Sequence, residues 1–259
     1  MTTGKNTSQP KKTKIKIWRY MSLSRFVWLL QKRSLYFARS DLLGDPFEGV
    51  YPEPMMKRFK SVTKDLFKLP GKPELRNFMV RYAYVSAGLS SKHRKTFYIN
   101  CWHMNEDESL AMWKLYASHN EAICIQSTQD TLSRLLPRSA WLAPVNYIDY
   151  KTDSFDLGNA VNYVFHKRKS FEHERELRAA VFLPMDPKDI VADHVVLPID
   201  INLLIKRVFV SPTAESNFKE IVEGLLKVYR VKASVSKSAA LAAPSYLYDS
   251  DDDPWTQSG

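Results

Sequence analysis

Long apolar segments and a signal-like start are both missing from this sequence. Uncharged apolar stretches such as residues 26–30 and 208–210 fall far short of the roughly 20 residues that a helix needs to span a bilayer. The amino-terminal lysines are not followed by an apolar run, so residues 1–16 lack the pattern of a secretory signal. The only two cysteines, Cys101 and Cys124, lie in apolar strand-like runs. We therefore expect free thiols and a reducing, cytoplasmic location.

Glycine is scarce, and the glycines present form none of the loops that hold phosphates. The eight glycines match neither a P-loop nor a dinucleotide-binding fingerprint, and no Gly-x-Ser-x-Gly elbow occurs. Cys101 and His103 have no second pair of ligands at the spacing of a zinc site. We therefore predict no metal, and a P-loop nucleotide hydrolase is disfavoured.

Acidic residues are outnumbered by basic ones, and the formal net charge is +10. Residues 1–17 contribute five lysines and residues 249–253 contribute four aspartates, so most of the excess positive charge belongs to the part between them. Such a charge favours nucleic acid, a nucleotide or another polyanion as partner, although it also serves solubility alone.

Composition divides the chain into one domain and two tails. Residues 1–14 are polar and lack apolar periodicity, which predicts a disordered basic tail. Residues 236–259 combine small residues with like charges that repel one another, which predicts a mobile acidic tail. Between them, residues 15–235 are predicted to form a single α+β domain.

Apolar periods of two and of about 3.6 residues alternate along this domain, which indicates a mixed, mainly antiparallel sheet flanked by helices. Strands are predicted at residues 15–20, 35–38, 96–103, 121–127, 142–150, 176–183, 194–197, 207–210 and 231–235. Helices are predicted at residues 22–32, 55–67, 73–87, 108–118, 129–136, 159–171 and 214–229. The second and third helices form a helical insertion near residues 55–87.

Several short motifs follow one another in an order that resembles a bacterial family known as domain of unknown function 2971. They are Trp18-Arg-Tyr20, Asp45-Pro-Phe-Glu48, Cys101-Trp102, Met112-Trp-Lys-Leu-Tyr-Ala117 and the segment at residues 169–178. Each motif is short, but five in sequence are harder to obtain by accident. The resemblance implies an association with mobile elements and phage defence, without implying a mechanism.

Two of these motifs are predicted to be structural. Asp45-Pro-Phe-Glu48 could place two carboxylates beside a site, but we favour a turn, with Phe47 anchored in the core. The helical spacing of Met112, Trp113, Leu115 and Tyr116 predicts core packing.

The segment at residues 172–178 holds the best candidates for chemistry. At a helix-to-strand junction, Glu174, Glu176 and Arg178 are predicted to project from one face of a strand. Neighbouring carboxylates raise each other's pKa and a guanidinium lowers it, an arrangement that can prepare one acid for proton transfer or for stabilising a cation. The same residues also suit a purely structural ion network, and both interpretations stay open.

The start of the domain resembles the front half of ADP-ribosyltransferase folds, because Arg19-Tyr20 on a first strand is followed by a helix and by Tyr36 on the next strand. This resemblance implies NAD as substrate, with Arg19 and Tyr36 as residues that bind it. Arg178, on the same strand face as Glu176, is predicted to bind NAD as well. The resemblance also implies that Glu174 or Glu176 assists the transfer, since a carboxylate stabilises an oxocarbenium ion. No Ser-Thr-Ser triplet follows the first helix, and a surface ion pair with a core aromatic residue is the alternative.

Two functions follow from these patterns. The first is a defence- or toxin-related effector that transfers ADP-ribose from NAD to a macromolecular acceptor, either protein or nucleic acid. The second is a noncatalytic nucleic-acid- or partner-binding module of a phage-defence system, and nuclease activity is a third alternative. A pocket joining Arg19, Tyr36 and residues 174–178 would favour the enzyme, whereas a broad basic surface without convergent carboxylates would favour the binder.

Overall fold

The computed structural model describes residues 15–66, 94–116, 120–156, 161–183 and 192–244, together with a few isolated residues between 68 and 78. These residues form the predicted α+β architecture. Nine strands build one mixed, mainly antiparallel sheet, and a short parallel pair of strands lies beside it. Over the same ranges, every helix is too short or too polar to cross a membrane.

The first three elements match their predicted positions closely. β1 is Lys16–Ser22, α1 is Leu23–Lys32 and β2 is Ser34–Arg39. Ser22 ends β1 and caps α1, because its hydroxyl accepts a hydrogen bond from the Arg25 N–H. Helix α1 buries Phe26, Leu29 and Leu30 against the sheet.

The remaining elements alternate along the chain. The helices are α2 Glu53–Leu66, α3 Leu110–Tyr116, α4 Gln129–Leu135, α5 Ile201–Leu204 and α6 Phe218–Val228. The strands are β3 Phe97–Met104, β4 Ala122–Thr128, β5 Ala140–Pro144, β6 Asn146–Ile148, β7 His166–Arg168, β8 Glu176–Phe182, β9 His194–Pro198, β10 Arg207–Val210 and β11 Ser234–Lys237. Within the predicted insertion, α2 is present, and the helix predicted at residues 73–87 falls largely outside the described residues.

The sheet forks at β3. Strand β8 pairs with β3 along residues 97–103, so the partners β1 and β2 must share the opposite edge. β1 pairs there with His103 and Met104, whereas β2 pairs with Tyr98 and Ile99. From this fork, β1 continues into β4, β10 and β11, while β2 continues into β9. Residues 100–102 of β3 lie between the two arms.

Apolar clusters cover both faces of the β1 arm. On one face, the largest cluster joins Ile17, Phe26, Ile125, Val208 and Leu226 with their neighbours. On the other face, α3 lays Met112 and Trp113 against Trp18, Tyr20 and Cys124. The arm is therefore rigid on both sides, which suits a strand that positions functional side chains.

Two predicted elements are wrong. Residues 159–171 were predicted as a helix, but the described part forms a 3₁₀ turn at Asn162–Phe165, then β7 and a second 3₁₀ turn at Lys169–Glu174. The apolar residues of the first turn imitate helical periodicity, and the pairing of β7 with β6 overrides it. The strand predicted at residues 142–150 is divided, since β5 pairs with β8 and β6 pairs with β7.

The carboxyl-terminal part of the sheet extends past residue 235. Strand β11 runs to Lys237 and pairs in parallel with β10. The next residue, Ser238, is buried and donates its N–H to the carbonyl of Val210. These contacts place residues 236–238 in the folded domain.

Candidate functional site

A cleft opens where β1 and β2 separate along the edge of β3. Its cavity measures about 730 Å³, within the range of about 300–1,000 Å³ that is usual for small-molecule sites. Side chains from β1, α1, β2, β3, α3 and β8 line it. All five residues singled out from the sequence are among them, namely Arg19, Tyr36, Glu174, Glu176 and Arg178.

Arg178 forms the centre of a buried charge cluster at the base of the cleft. Its guanidinium is fully buried and makes two hydrogen bonds with Glu176, at 2.5 and 2.9 Å, and two with Glu48, at 2.8 and 3.0 Å. A fifth bond, of 2.6 Å, reaches the carbonyl of Val164. All five N–H donors of this arginine are thus bound within the protein.

Lys167 on β7 is the second cation of the cluster. Its Nζ lies 2.5 Å from Glu174 Oε2, and 3.5 Å from a carboxylate oxygen of both Glu176 and Glu48. The ammonium also lies 4.6 Å from the centre of the Phe171 ring. Three buried carboxylates therefore face two cations, which leaves one excess negative charge beside the cleft.

These contacts decide the protonation states of the cluster. Burial opposes ionisation of Glu176, but Arg178 and Lys167 outweigh it and lower the pKa of this carboxyl to about 2. Burial also disfavours the charged form of Lys167, yet the surrounding carboxylates raise the pKa of its ammonium. The same balance raises the pKa of Arg178. Glu176, Lys167 and Arg178 are therefore charged at neutral pH.

Glu174 lies at the end of the 3₁₀ turn before β8, and its buried carboxylate lines the cleft. Its Oε1 accepts a hydrogen bond of 2.8 Å from the hydroxyl of Tyr116, a residue that is 47% exposed. Its backbone carbonyl lies 2.6 Å from Nδ1 of His103. The following residue, Arg175, has a left-handed φ of 40° and accepts the Met104 N–H through its carbonyl. The turn is thus held on several sides.

Arg19 on β1 is a further basic residue of the cleft. Its guanidinium is half-buried, lies 5.8 Å from the centre of the Trp102 ring, and has no ion pair within the described residues. Burial, with a further contribution from Arg25, lowers the pKa of Arg19 to about 10. A desolvated cation in a cleft favours a bound anion such as a phosphate.

Tyr36 on β2 presents an aromatic face at the same cleft. The side chain is 39% exposed, so the alternative of a buried core aromatic does not hold. Its ring stacks on His194 at 4.6 Å and meets Trp28 edge-on at 5.9 Å. Planar heterocycles bind well to such aromatic surfaces.

Four residues of the site were not singled out as functional from the sequence. Lys167 lay in a predicted helix, and Glu48 belonged to a motif interpreted as a turn. The turn is present, with the Glu48 N–H bonded to the Asp45 carbonyl, but it also delivers the Glu48 carboxylate to Arg178. Tyr116 belonged to a helical pattern interpreted as core packing, and His103 was considered only as a metal ligand together with Cys101.

The core predictions for the two motifs are only partly right. Phe47 is 37% exposed and packs on the guanidinium of Arg168 at 4.5 Å, rather than anchoring the core. In α3, Met112 and Trp113 are buried, whereas Leu115 and Tyr116 are exposed. Among the residues that the structure describes, no group of three or more His, Cys, Asp or Glu side chains is placed to hold a metal ion.

Comparisons with known proteins give a structural similarity and no family. No family model and no curated protein matches the sequence, so the resemblance to domain of unknown function 2971 rests on the motifs alone. Two solved structures of DarT from Thermus sp. 2.9 are similar at 8% identity, one with ADP-ribosylated ssDNA and one with NAD+. The alignments cover 86% of this chain, and 94% and 96% of DarT, with TM-scores of 0.40 and 0.38. A similarity with so low an identity and TM-score assigns no role to any residue of this chain.

Proposed function

We propose that this chain transfers ADP-ribose from NAD to a macromolecular acceptor, with Glu174 as the carboxylate that acts on the reacting groups. One observation carries the proposal. A single cleft joins Arg19, a cation with no ion pair among the described residues, with an exposed aromatic ring, Tyr36, and a buried cluster that has a formal excess of one negative charge. NAD offers the complement of each feature, namely a pyrophosphate, planar heterocycles and a positively charged nicotinamide.

The negative cluster matches the charge that develops during the reaction. The glycosidic bond between the nicotinamide nitrogen and C1′ of its ribose breaks, and nicotinamide leaves as a neutral molecule with the bonding electron pair. The sugar then carries oxocarbenium character, which an adjacent carboxylate stabilises. An acceptor oxygen or nitrogen forms the new bond to C1′, and its proton passes to the carboxylate.

Glu174 suits this role better than Glu176. Both oxygens of Glu176 are held by Arg178, so this carboxylate has little freedom to meet a substrate. Glu174 instead accepts a hydrogen bond from the hydroxyl of Tyr116 at the cleft rim. An acceptor hydroxyl or amine that displaced Tyr116 would make the same contact with Glu174.

Arg178 is reassigned within the proposal. The sequence led us to expect that it binds NAD, but its five N–H donors are already bound to Glu48, Glu176 and Val164. We assign Arg178 to positioning the carboxylates. Arg19 and Tyr36 keep their proposed roles, with Arg19 at the pyrophosphate and Tyr36 against a planar ring.

The convergent carboxylates also support an enzyme over the alternative, a noncatalytic nucleic-acid-binding module. A surface that binds only nucleic acid gains nothing from three buried carboxylates, because the phosphate backbone repels them. The net charge of +10 still favours a nucleic acid among the acceptors to be tested.

The proposal predicts that Glu174→Gln abolishes transfer while the protein stays folded. Purified protein is incubated with labelled NAD and, separately, single-stranded DNA, RNA or host-cell lysate, and labelled macromolecules are counted. Loss of the carboxylate should lower the rate about a hundredfold or more, because about 3 kcal/mol or more of transition-state stabilisation is removed.

Glu172→Gln is the matched control, since Glu172 lies on the same turn with an exposed side chain. It should retain the wild-type rate. Thermal unfolding of each variant shows whether the fold is intact, and cellular toxicity gives a second readout of activity. A well-folded Glu174→Gln protein with full transfer activity would overturn the assignment of Glu174, and wild-type protein that neither binds NAD nor labels any acceptor would overturn the proposed function.

A further inference from the structure

His103 is a buried residue of the cleft whose hydrogen bonding is incomplete. It lies on β3 directly opposite Glu176 of β8, is 3% exposed and lines the cavity. Its Nδ1 lies 2.6 Å from the backbone carbonyl of Glu174. A carbonyl oxygen only accepts hydrogen bonds, so Nδ1 carries the proton in this contact.

The other ring nitrogen is therefore an acceptor without a donor. Burial lowers the pKa of His103, so the ring is neutral at neutral pH and Nε2 has a free lone pair. Nε2 is buried and has no hydrogen-bond partner within the described residues. Buried polar atoms are nearly always paired in folded proteins, and an exception beside a cleft calls for a donor from outside the chain.

We infer that His103 is a specificity residue, whose Nε2 accepts a hydrogen bond from a neutral N–H or O–H donor on the nicotinamide-riboside part of the substrate. The inference rests on the proposed function. The position of His103 beside Glu176, and its bond to the Glu174 carbonyl, place it at the end of the cleft where the glycosidic bond is broken. Two groups of that part have suitable donors, the carboxamide N–H and the 2′-hydroxyl of the ribose.

The same ring would link the substrate to the turn that holds Glu174. One nitrogen holds the Glu174 carbonyl, and the other would hold the ligand. Because Nε2 is buried, a ligand reaches it only with a small movement of the lining side chains. A ligand without the donor would leave Nε2 unpaired, which is how a site built for a hydrogen bond rejects close analogues.

Two substitutions separate these two contacts. In His103→Asn, the side-chain amide nitrogen takes the place of Nδ1 and keeps the bond to Glu174, but the acceptor at Nε2 is lost. In His103→Gln, the amide oxygen takes the place of Nε2, and the bond to Glu174 is lost. If His103 had a purely structural role, His103→Asn would resemble the wild type more closely than His103→Gln. The inferred role predicts instead that His103→Gln retains more of the wild-type ligand selectivity.

The test measures dissociation constants by calorimetry, in the Glu174→Gln background so that NAD is not consumed. The ligands are NAD, 3-acetylpyridine adenine dinucleotide, which lacks the carboxamide N–H, and NAD without the 2′-hydroxyl of the nicotinamide ribose. Protein with His103 should prefer NAD over one analogue by about tenfold or more, as expected for one hydrogen bond. His103→Asn should lose that preference, and His103→Gln should retain part of it. The analogue that is discriminated identifies the donor.

The outcomes are distinguishable. Equal affinity of the His103 protein for NAD and both analogues overturns the inference and leaves the proposed function standing, and this result needs no His103 variant to fold. A preference that persists in folded His103→Asn also overturns the inference alone. Absence of NAD binding in both the wild type and Glu174→Gln overturns the proposed function and the inference with it.

Discussion

Glu174 and Glu176 are two residues apart, yet their carboxylates have different surroundings. Glu176 makes two bonds to a fully buried arginine, whereas Glu174 contacts an exposed tyrosine and a lysine. The first arrangement binds both carboxylate oxygens to one buried guanidinium, whereas the second leaves one oxygen bonded to a hydroxyl that a substrate group can displace. At the scale of single residues, we therefore expect Glu176 to contribute mainly to stability and Glu174 mainly to activity.

The lowered pKa of Glu176 predicts a specific pH dependence. Its pKa is about 2 in the folded chain and close to 4.5 when the chain is unfolded, so ionised Glu176 stabilises the fold fully above about pH 4.5. The contribution is lost as pH falls from 4.5 toward 2. At neutral pH, Glu176→Gln should lower the free energy of unfolding by about 2–3 kcal/mol, the value of hydrogen bonds to charged groups.

Urea unfolding of the wild type and Glu176→Gln at pH 7, 5, 4 and 3 measures this dependence. The difference between the two proteins should be constant from pH 7 to 5 and then shrink. The exposed control Glu172→Gln should differ from the wild type by less than about 0.5 kcal/mol throughout. A difference for Glu176→Gln that stays constant down to pH 3 would contradict the assigned ionisation.

At the scale of elements, the fork between β1 and β2 depends on one buried amide. Asn100 lies on β3 between the two arms and is 1% exposed. Its Nδ2 donates to the carbonyl of Tyr36 at 2.8 Å, and its Oδ1 accepts from Nε1 of Trp102 at 2.7 Å. The side chain thus replaces backbone pairing where the strands separate, because it provides hydrogen-bond partners for the Tyr36 carbonyl and the Trp102 indole N–H.

We predict that Asn100→Leu, which is similar in volume, lowers the free energy of unfolding by about 2–4 kcal/mol. The substitution leaves a buried carbonyl and a buried indole N–H without partners, and each costs about 1–3 kcal/mol. It should also weaken NAD binding, because the backbone of Tyr36 loses its hydrogen bond from Asn100. Urea unfolding and calorimetry with NAD measure the two effects.

Asn202→Leu serves as the control, because Asn202 is exposed and its side chain accepts only the Lys232 N–H at 3.2 Å. It should cost less than about 1 kcal/mol. Similar stabilities for Asn100→Leu and the wild type would show that the fork does not depend on this amide.

At the scale of the whole molecule, the buried charge cluster connects distant parts of the chain. Arg178 and Glu48 are 130 positions apart, and the cluster also includes Lys167 of β7 and the carbonyl of Val164. Buried ion pairs add little net stability compared with an apolar core, but removing one member leaves the others uncompensated. The fold therefore depends most on Arg178, which binds Glu48, Glu176 and the carbonyl of Val164.

Arg178→Met is predicted to lower the free energy of unfolding by about 3–5 kcal/mol, because three buried carboxylates would then face a single ammonium. Arg134→Met is the control, since the Arg134–Asp130 pair is largely exposed and should contribute less than about 1 kcal/mol. Denaturant unfolding compares the two variants. Equal small losses for both would mean that the cluster is not electrostatically coupled to folding.

The sequence by itself determined the features that depend on near neighbours. A strand period of two places Glu176 and Arg178 on one face, and the apolar stripe of α1 with Ser22 as its cap defines that helix. The α+β class was predictable for the same reason, because apolar periods of two and of about 3.6 residues are local patterns. Arg19 and Tyr36 were likewise correctly placed on the first two strands.

Only the tertiary structure decided which distant groups meet. Glu48 and Lys167 are charged residues, and a periodicity argument assigns such residues to solvent, whereas both are buried against Arg178. The fork in the sheet, and with it the cleft, follows from how β1 and β2 share one edge of β3. Strand pairing and buried ion pairs depend on contacts between segments that are distant in the sequence, so residue spacing along the chain does not predict them.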